Sequence, residues 1–298
     1  MINNFTPLIR LPEDEEKRFS EFIKAKRKEL ILPPKETTTI ARNNHHDFIN
    51  KLLENGRISE AIIQLRELSY DEFLKQESIF NGEILKEIAN IFDAPKNLLN
   101  KISDELLTLS GVSKEDFYTR LNQLFGVYSG YISPYIYQLC LSNTQSRRSR
   151  AGKVFEGIIY SLYDYFGYSF ESQANIGKKA FDNLGLGKVV DSILPSVEAF
   201  KKLRNRTIVG SMKTTLRERW QEVVEEIQRS NLPNIYLLTV DDDISESKAE
   251  QMGQHNIIIV VLNSVKISKK LASRHNVIDF ETYFNRDIPS VLSYWIDN

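Results

Sequence analysis

The stretches KVVDSILPS (188–196) and IVGSMKTTLRERWQEVVEEIQRS (208–230) decide the fold. The first is β-branched and apolar around one acid, Asp191, and reads as a strand. A carboxylate inside such a run is costly to bury without a partner. Residues 207–212 form a second strand candidate. Ser211 and Lys213 are two apart, so they share a face. Leu216, Trp220, Val223, Val224 and Ile227 recur at helical spacing, which predicts an amphipathic helix over 216–229. Glu222 and Glu226, four apart, lie on one face of it. An Asp, a Lys and a helix Glu can therefore converge. Two carboxylates can hold Mg²⁺ on a scissile phosphate, and a Lys can orient or polarise the attacking water. The same spacing also fits a buried Asp–Lys pair in an ordinary α/β sheet.

Between Lys213 and the helix, Arg217-Glu218-Arg219 sets two guanidiniums around one carboxylate. Arg donates bidentately to guanine O6 and N7, and Glu accepts from cytosine N4, so the trio suits two adjacent C·G pairs. Thr215-Leu216-Arg217-Glu218 equally fits a T-x-x-E capping box, in which Glu218 closes the helix N-terminus. The two roles compete for one carboxylate.

The segments TQSRRSRAGKVFEG (144–157), VVDSILPS (189–196) and SMKTTLRERWQEVVEE (211–226) together resemble type II restriction endonucleases of the SsoII, PspGI and EcoRII group. These are PD-(D/E)XK nucleases of CCNGG or CCWGG-like sites. The resemblance spans roughly the second half of the chain, with the segments in the same order. In this group Ser stands where other members carry Glu two before the Lys, and the following helix supplies the acid; Ser211 and Glu226 match that variant. The resemblance implies Asp191 and Glu226 as metal ligands, Lys213 as the catalytic lysine and Glu156 as a further active-site acid. It implies Arg217, Glu218 and Arg219 as readers of the CC/GG pairs, and Gln145 at the central base pair from the minor groove. It further implies a PD-(D/E)XK α/β fold, with a mixed central sheet flanked by helices. Mg²⁺, double-stranded DNA, a homodimer and a companion DNA methyltransferase follow from it too. The expected reaction is cleavage before the first C, leaving 5′ overhangs and 5′-phosphates, with the central bases flipped.

Composition bounds the alternatives. A chain of 298 residues can bury a real core. Net charge is −1, but residues 145–219 hold fourteen Lys/Arg against seven Asp/Glu, where a phosphate-contacting surface is expected. One Cys, Cys140, read as lying in an apolar setting, excludes internal disulfides and Cys-based metal clusters. With no signal peptide and no membrane-spanning apolar run, the expected location is the cytoplasm of a prokaryote, with no membrane partner.

The N-terminal half reads as helical. EDEEKRFSEFIKAKRKEL (13–30), acidic first and basic last, suits a helix dipole. Residues 47–68 look like a helical hairpin turning at Asn55-Gly56. Residues 70–109 are helical with breaks expected at Asn81-Gly82 and Ala94-Pro95, and another helix follows over 113–125. Tyr128, Tyr131, Tyr135 and Tyr137 can stack on bases, but fit core positions better. A helix over 152–166 carries Glu156, with Tyr160 four on. Arg147, Arg148, Arg150 and Lys153 cluster at its expected start, where a helix N-terminus adds to phosphate attraction. KKLRNR (201–206) reads as a backbone-contacting basic loop.

Beyond the helix, strands over 234–240 and 257–262 alternate with a helix over 245–254. Asp241-Asp242-Asp243 is read as capping that helix rather than binding metal. The last apolar segment (284–298) is expected to dock on the sheet or on a second subunit. The reading is therefore a helical N-terminal subdomain or arm over 1–125 and a nuclease core over 126–298. A structure-directed nuclease of the same fold would share Asp191, Lys213 and Glu226 without needing Arg-Glu-Arg. A non-enzymatic DNA-binding module would need no Lys beside two acids.

Overall fold

The computed structural model describes residues 9–186, 189–216, 220–230 and 232–296. Helices α1 (Glu13–Leu30), α2 (Pro34–Asn44), α3 (His46–Glu54), α4 (Ile58–Ile91), α5 (Asp93–Leu107), α6 (Lys114–Tyr131) and α7 (Ser133–Tyr165) come first. Then follow β1 (Glu171–Ser172), α8 (Gln173–Ile176), α9 (Lys178–Asn183), β2 (Ser192–Leu194), α10 (Val197–Lys202) and β3 (Ile208–Lys213). The chain continues through α11 (Trp220–Ser230), β4 (Ile235–Thr239), α12 (Glu246–Gln254), β5 (Ile257–Val261), α13 (Asn263–Lys266), β6 (Val277–Asp279), α14 (Phe280–Thr282) and α15 (Ile288–Ile296). Two compact units interleave in sequence: Met1–Pro33 with Asp71–Ser149, and Pro34–Tyr70 with Arg150–Asn298. No described helix is long and apolar enough to cross a membrane.

The first unit is helical around a core that includes Phe19, Ile23, Phe80, Ile84, Phe92 and Tyr135. The acidic first turn and basic last turn of α1 suit the helix dipole, as expected. The break expected at Asn81-Gly82 does not occur; α4 runs straight through. A helix-interior Gly costs only about 1 kcal/mol. Here Phe80 and Ile84 bury on either side of the pair, and Asn81 Oδ1 accepts from Asn143 Nδ2 at 2.8 Å. Pro95 lies inside the first turn of α5, where no intrahelical N–H is required, and the chain breaks instead at Phe92. Ser113 caps α6 by accepting from the Asp116 N–H. Tyr135 is fully buried against Phe19 and Phe92, a core residue rather than a stacking platform, whereas Tyr137 is exposed. Cys140 is exposed, not apolar in setting as expected.

The second unit is a mixed α/β layer structure. Among the described residues its sheet has strand order β1-β2-β3-β4-β5-β6. β1, β2 and β3 pair antiparallel; β3 to β6 pair parallel. The parallel strands read IYLLT and IIIVV and are almost wholly buried, as strands covered on both faces must be. β6 is three residues long and had no distinct strand signal. Ile158, Leu162, Val223, Ile227, Phe280 and Phe284 pack into the same core as the strands.

Candidate functional site

The site begins where β2 meets β3. Ser192 stands opposite Gly210, and the Asp191 N–H donates to the Gly210 carbonyl at 2.8 Å. Pairing thus extends one residue beyond β2 and fixes Asp191 beside the end of β3. Its carboxylate turns back onto that strand: Oδ2 accepts the Met212 N–H at 2.6 Å. The same oxygen lies 3.5 Å from Lys213 Nζ, with the two side chains only 12% and 14% exposed. The expected Asp–Lys convergence is present.

The helix α7 supplies the rest. Tyr160 Oη donates to the Asp191 carbonyl at 2.9 Å, and its ring stacks on Phe170. Burial, with the charges of Asp191 and Glu156 adding, pushes the Tyr160 phenol far up, so it stays a donor. The Gln173 N–H also donates to the Asp191 carbonyl, and Gln173 Nε2 holds the Val190 carbonyl at 2.7 Å. One turn before Tyr160, Glu156 is paired with the exposed Lys153 at 2.8 Å. Burial drives the Asp191 carboxyl up, Lys213 pulls it back and Glu156 pushes it up again. With the Met212 N–H and Lys153 lowering it, it stands at about 6 against 3.8. Lys213 therefore neutralises Asp191 only in part.

A buried, incompletely compensated carboxylate with a second acid nearby suits a hard divalent cation. Among the described residues no trio of His, Cys, Asp and Glu is grouped for a metal. Mg²⁺ does not require one: it is commonly held by one or two carboxylates, with water and phosphate oxygens completing the octahedron. The donor chemistry fits.

Gly210 is needed for a close approach. A Cβ there would lie 2.6 Å from Ser192 Oγ, and Ser192 is fully buried. Gly210→Ala is expected to cost about 1–3 kcal/mol by overpacking. Adding Ser192→Ala should recover much of it in urea melts; an additive double mutant would refute the contact.

Other expected residues fall differently. Arg217, Glu218 and Arg219 lie outside the described residues, as does the side chain of Glu226; Glu222 is exposed. Gln145 is exposed on α7, in the first unit. The basic cluster is not at a helix start, because α7 begins at Ser133. Arg147 forks onto the buried Glu77, with Nε 3.0 Å from Oε2, and Arg150 bonds Thr37 Oγ1 at 3.0 Å. The expected basic loop, residues 201–206, is exposed throughout; within it Arg204 also donates to the Ser230 carbonyl and lies over the Phe200 ring. Ser211 is fully buried, and its hydroxyl has no hydrogen-bond partner among the described residues. The acidic triplet does not cap α12, whose cap is Ser245; Asp241 instead accepts the Leu216 N–H at 2.6 Å. The hold of Tyr160 and Gln173 on Asp191 was missed, although the i, i+4 spacing of Glu156 and Tyr160 signalled a shared helix face.

Comparison with known proteins bears on this geometry. The profile of the EcoRII C-terminal family matches residues 113–284. The type II restriction enzyme SsoII of Shigella sonnei is 42% identical over 147 residues. That match covers 49% of this chain and 48% of the enzyme, so the chain spans about half the length of this curated relative. Among solved structures, metal-depleted Ecl18kI in complex with uncleaved, modified DNA superposes with a TM-score of 0.73 at 28% identity. It covers 96% of this chain and 86% of its own. The complex of the restriction endonuclease PspGI with substrate DNA gives a TM-score of 0.60 at 21% identity, covering 89% of this chain and 94% of its own. This last likeness bears on the fold alone: a restriction-endonuclease-like mixed sheet flanked by helices, with a helical N-terminal half.

Proposed function

The chain belongs to the EcoRII C-terminal family, and from that premise we propose that it is a type II restriction endonuclease hydrolysing double-stranded DNA at a CCNGG-like site. The observation that carries the proposal is the partly neutralised Asp191 beside Lys213 and Glu156 at one end of a mixed sheet. A structural ion pair needs no second acid there.

In this reading Asp191 and Glu226 hold Mg²⁺, which when bound stabilises the charge developing on the scissile phosphate. Lys213 orients the attacking water and offsets charge on the phosphate. Glu156 is a further active-site acid, kept in place by Lys153. Tyr160 and the Met212 N–H hold Asp191 at its backbone and carboxylate, so its geometry is set before DNA arrives. In-line attack gives a 5′-phosphate and a 3′-hydroxyl. Arg217, Glu218 and Arg219 read the CC/GG pairs, and Gln145 reaches the central pair. Cleavage falls before the first C, leaving 5′ overhangs. The central bases are extruded, at a cost of a few kcal/mol.

A near-palindromic site calls for a two-fold homodimer, one active site per strand. A host making such an enzyme needs a cognate DNA methyltransferase, and the place of action is the cytoplasm. The helical N-terminal half adds contacts that read base pairs flanking the core.

Digestion of plasmid DNA with Mg²⁺, followed by run-off sequencing of the ends, tests the proposal. Discrete ends at CC-N-GG-like sites are expected; random nicking would point to a structure-directed nuclease. Arg217→Ala should cost about 1–3 kcal/mol of discrimination at the base pair it reads, while the other pairs stay selective. Cleavage-site profiling of the variant measures this. Uniform weakening at every position would make Arg217 a phosphate contact instead.

A further inference from the structure

We propose that Asp241 is a positioning residue for sequence recognition, holding the backbone of Leu216, the residue that precedes Arg217-Glu218-Arg219, to the catalytic sheet. This deepens the reading above and rests on it.

β3 and β4 are parallel neighbours whose ordered pairing ends with Lys213 opposite Thr239. Past that point the two chains diverge. β3 leads through Thr214 and Thr215 to Leu216, and β4 leads through Val240 to Asp241. The ladder no longer supplies an acceptor for the Leu216 amide. Asp241 Oδ2 does so, at 2.6 Å. Its other oxygen accepts the Asp243 N–H at 3.1 Å, and its own N–H donates to Thr239 Oγ1 at 3.1 Å. Thr239 is fully buried within β4. The carboxylate is thus held at both oxygens and through its own backbone, anchored on the strand next to Lys213.

Leu216 is itself fully buried. Four residues later, Trp220 opens α11, whose Val223 and Ile227 are buried in the core of the sheet. In sequence, the recognition trio lies between Leu216, three residues past the end of β3 at Lys213, and the amphipathic helix α11. The Leu216 side chain is held by packing in the core, while its backbone amide is oriented by one hydrogen bond, donated to the Asp241 carboxylate. Charge-assisted bonds of that kind are short and directional, and bidentate base contacts weaken steeply when the reading side chains move out of hydrogen-bond geometry. The first acid of the triplet is thus turned toward Leu216 and not toward α12, which Ser245 caps.

The test compares wild type, Asp241→Ala and Asp241→Asn. Amide hydrogen exchange of peptides spanning 213–221 is measured in the free proteins. Competition binding to a CC-N-GG duplex and to duplexes with one C·G pair replaced is measured in Ca²⁺. Asp241→Ala is expected to speed exchange at Leu216 and to reduce discrimination between the duplexes about ten- to a hundredfold, the range spanned by loss of one bidentate base contact. Asp241→Asn keeps one acceptor oxygen and should restore most of both. Unchanged discrimination in Asp241→Ala would overturn the proposal. So would equal loss in both variants accompanied by a common drop in melting temperature, which marks a merely structural acid. Wild type showing no preference for CC/GG duplexes would fail the functional reading, whereas the exchange arm separately reports whether Asp241 holds Leu216.

Discussion

Replacing Asp191 with Asn is expected to abolish cleavage while making the metal-free protein harder to unfold at pH 8. Asp191 is buried, and in the folded state its carboxyl stands at about 6, above its ordinary 3.8. A group raised in this way binds its proton more tightly when folded than when unfolded. Its contribution is fully present below the unfolded pKa and is lost as pH rises through about 6. Above that the protein carries the whole penalty of the buried charge, roughly 3 kcal/mol for a shift of about two pH units. Asn has the same shape and retains an oxygen for the Met212 N–H, yet has nothing to ionise. Lys213 loses its partner, which offsets part of the gain, so a net stabilisation of about 1–2 kcal/mol is expected. Urea melts from pH 4 to 8 without metal measure it. The gap between variant and wild type should open as pH rises past about 4 and level off above about 7. Mg²⁺ should then stabilise wild type and not the variant, because only a ligand that binds the folded state shifts its stability. A gap independent of pH would show that the Asp191 carboxyl is not raised. Wild-type cleavage by Asp191→Asn would remove it from the active site.

The trade just described explains why part of the site was legible in the sequence. An acid inside VVDSIL breaks local consistency, and such breaks gather at functional sites. Lys213 was legible for a similar reason, as a cation ending an apolar strand. Glu156 was not: an acid on an amphipathic helix has the same pattern whether it faces solvent or Asp191, and only the family resemblance singled it out. β4 and β5 were legible because strands buried on both faces are continuously apolar. β6 was not, since three residues carry too short a pattern.

The helices failed in a more instructive way. Asn81-Gly82 is a strong local breaker, but tertiary contacts of Phe80, Ile84 and Asn143 override it. Periodicity also reports that a face is buried without saying what buries it. For this reason the grouping of residues 34–70 with 150–298 could not be read in advance. Asp241 was assigned to the helix that follows it in sequence, whereas its partner Leu216 lies 25 residues earlier. Arg147 was taken for a phosphate contact, and its charge is spent on a buried glutamate far away in sequence.

Lys213→Ala should lower the cleavage rate about 10²–10⁴-fold, the range for loss of a positioned acid–base or charge-offsetting group. Binding to a CC-N-GG duplex should stay near wild type, because the basic segment and the reading trio remain. A parallel loss of binding would make Lys213 a DNA anchor rather than part of the chemistry. Lys213→Arg is not expected to rescue: the guanidinium is larger and planar, while Nζ sits 3.5 Å from Asp191 Oδ2 in a nearly closed space. The pH profile carries a second, sharper expectation. Lys213 is the largest influence lowering the Asp191 carboxyl. Removing it leaves burial and Glu156 to raise that group further, so ionised Asp191 appears only at higher pH. The residual activity of Lys213→Ala should therefore rise with pH along a limb displaced alkaline of the wild-type limb. Single-turnover rates between pH 5 and 9 at saturating Mg²⁺ give both limbs. Saturating metal pulls each limb toward acid without reversing their order, since it binds the ionised carboxylate in both proteins. Coincident limbs would mean that the pair 3.5 Å apart is not the group that governs the reaction, and the acid limb would then have to be sought at Glu156 or Glu226.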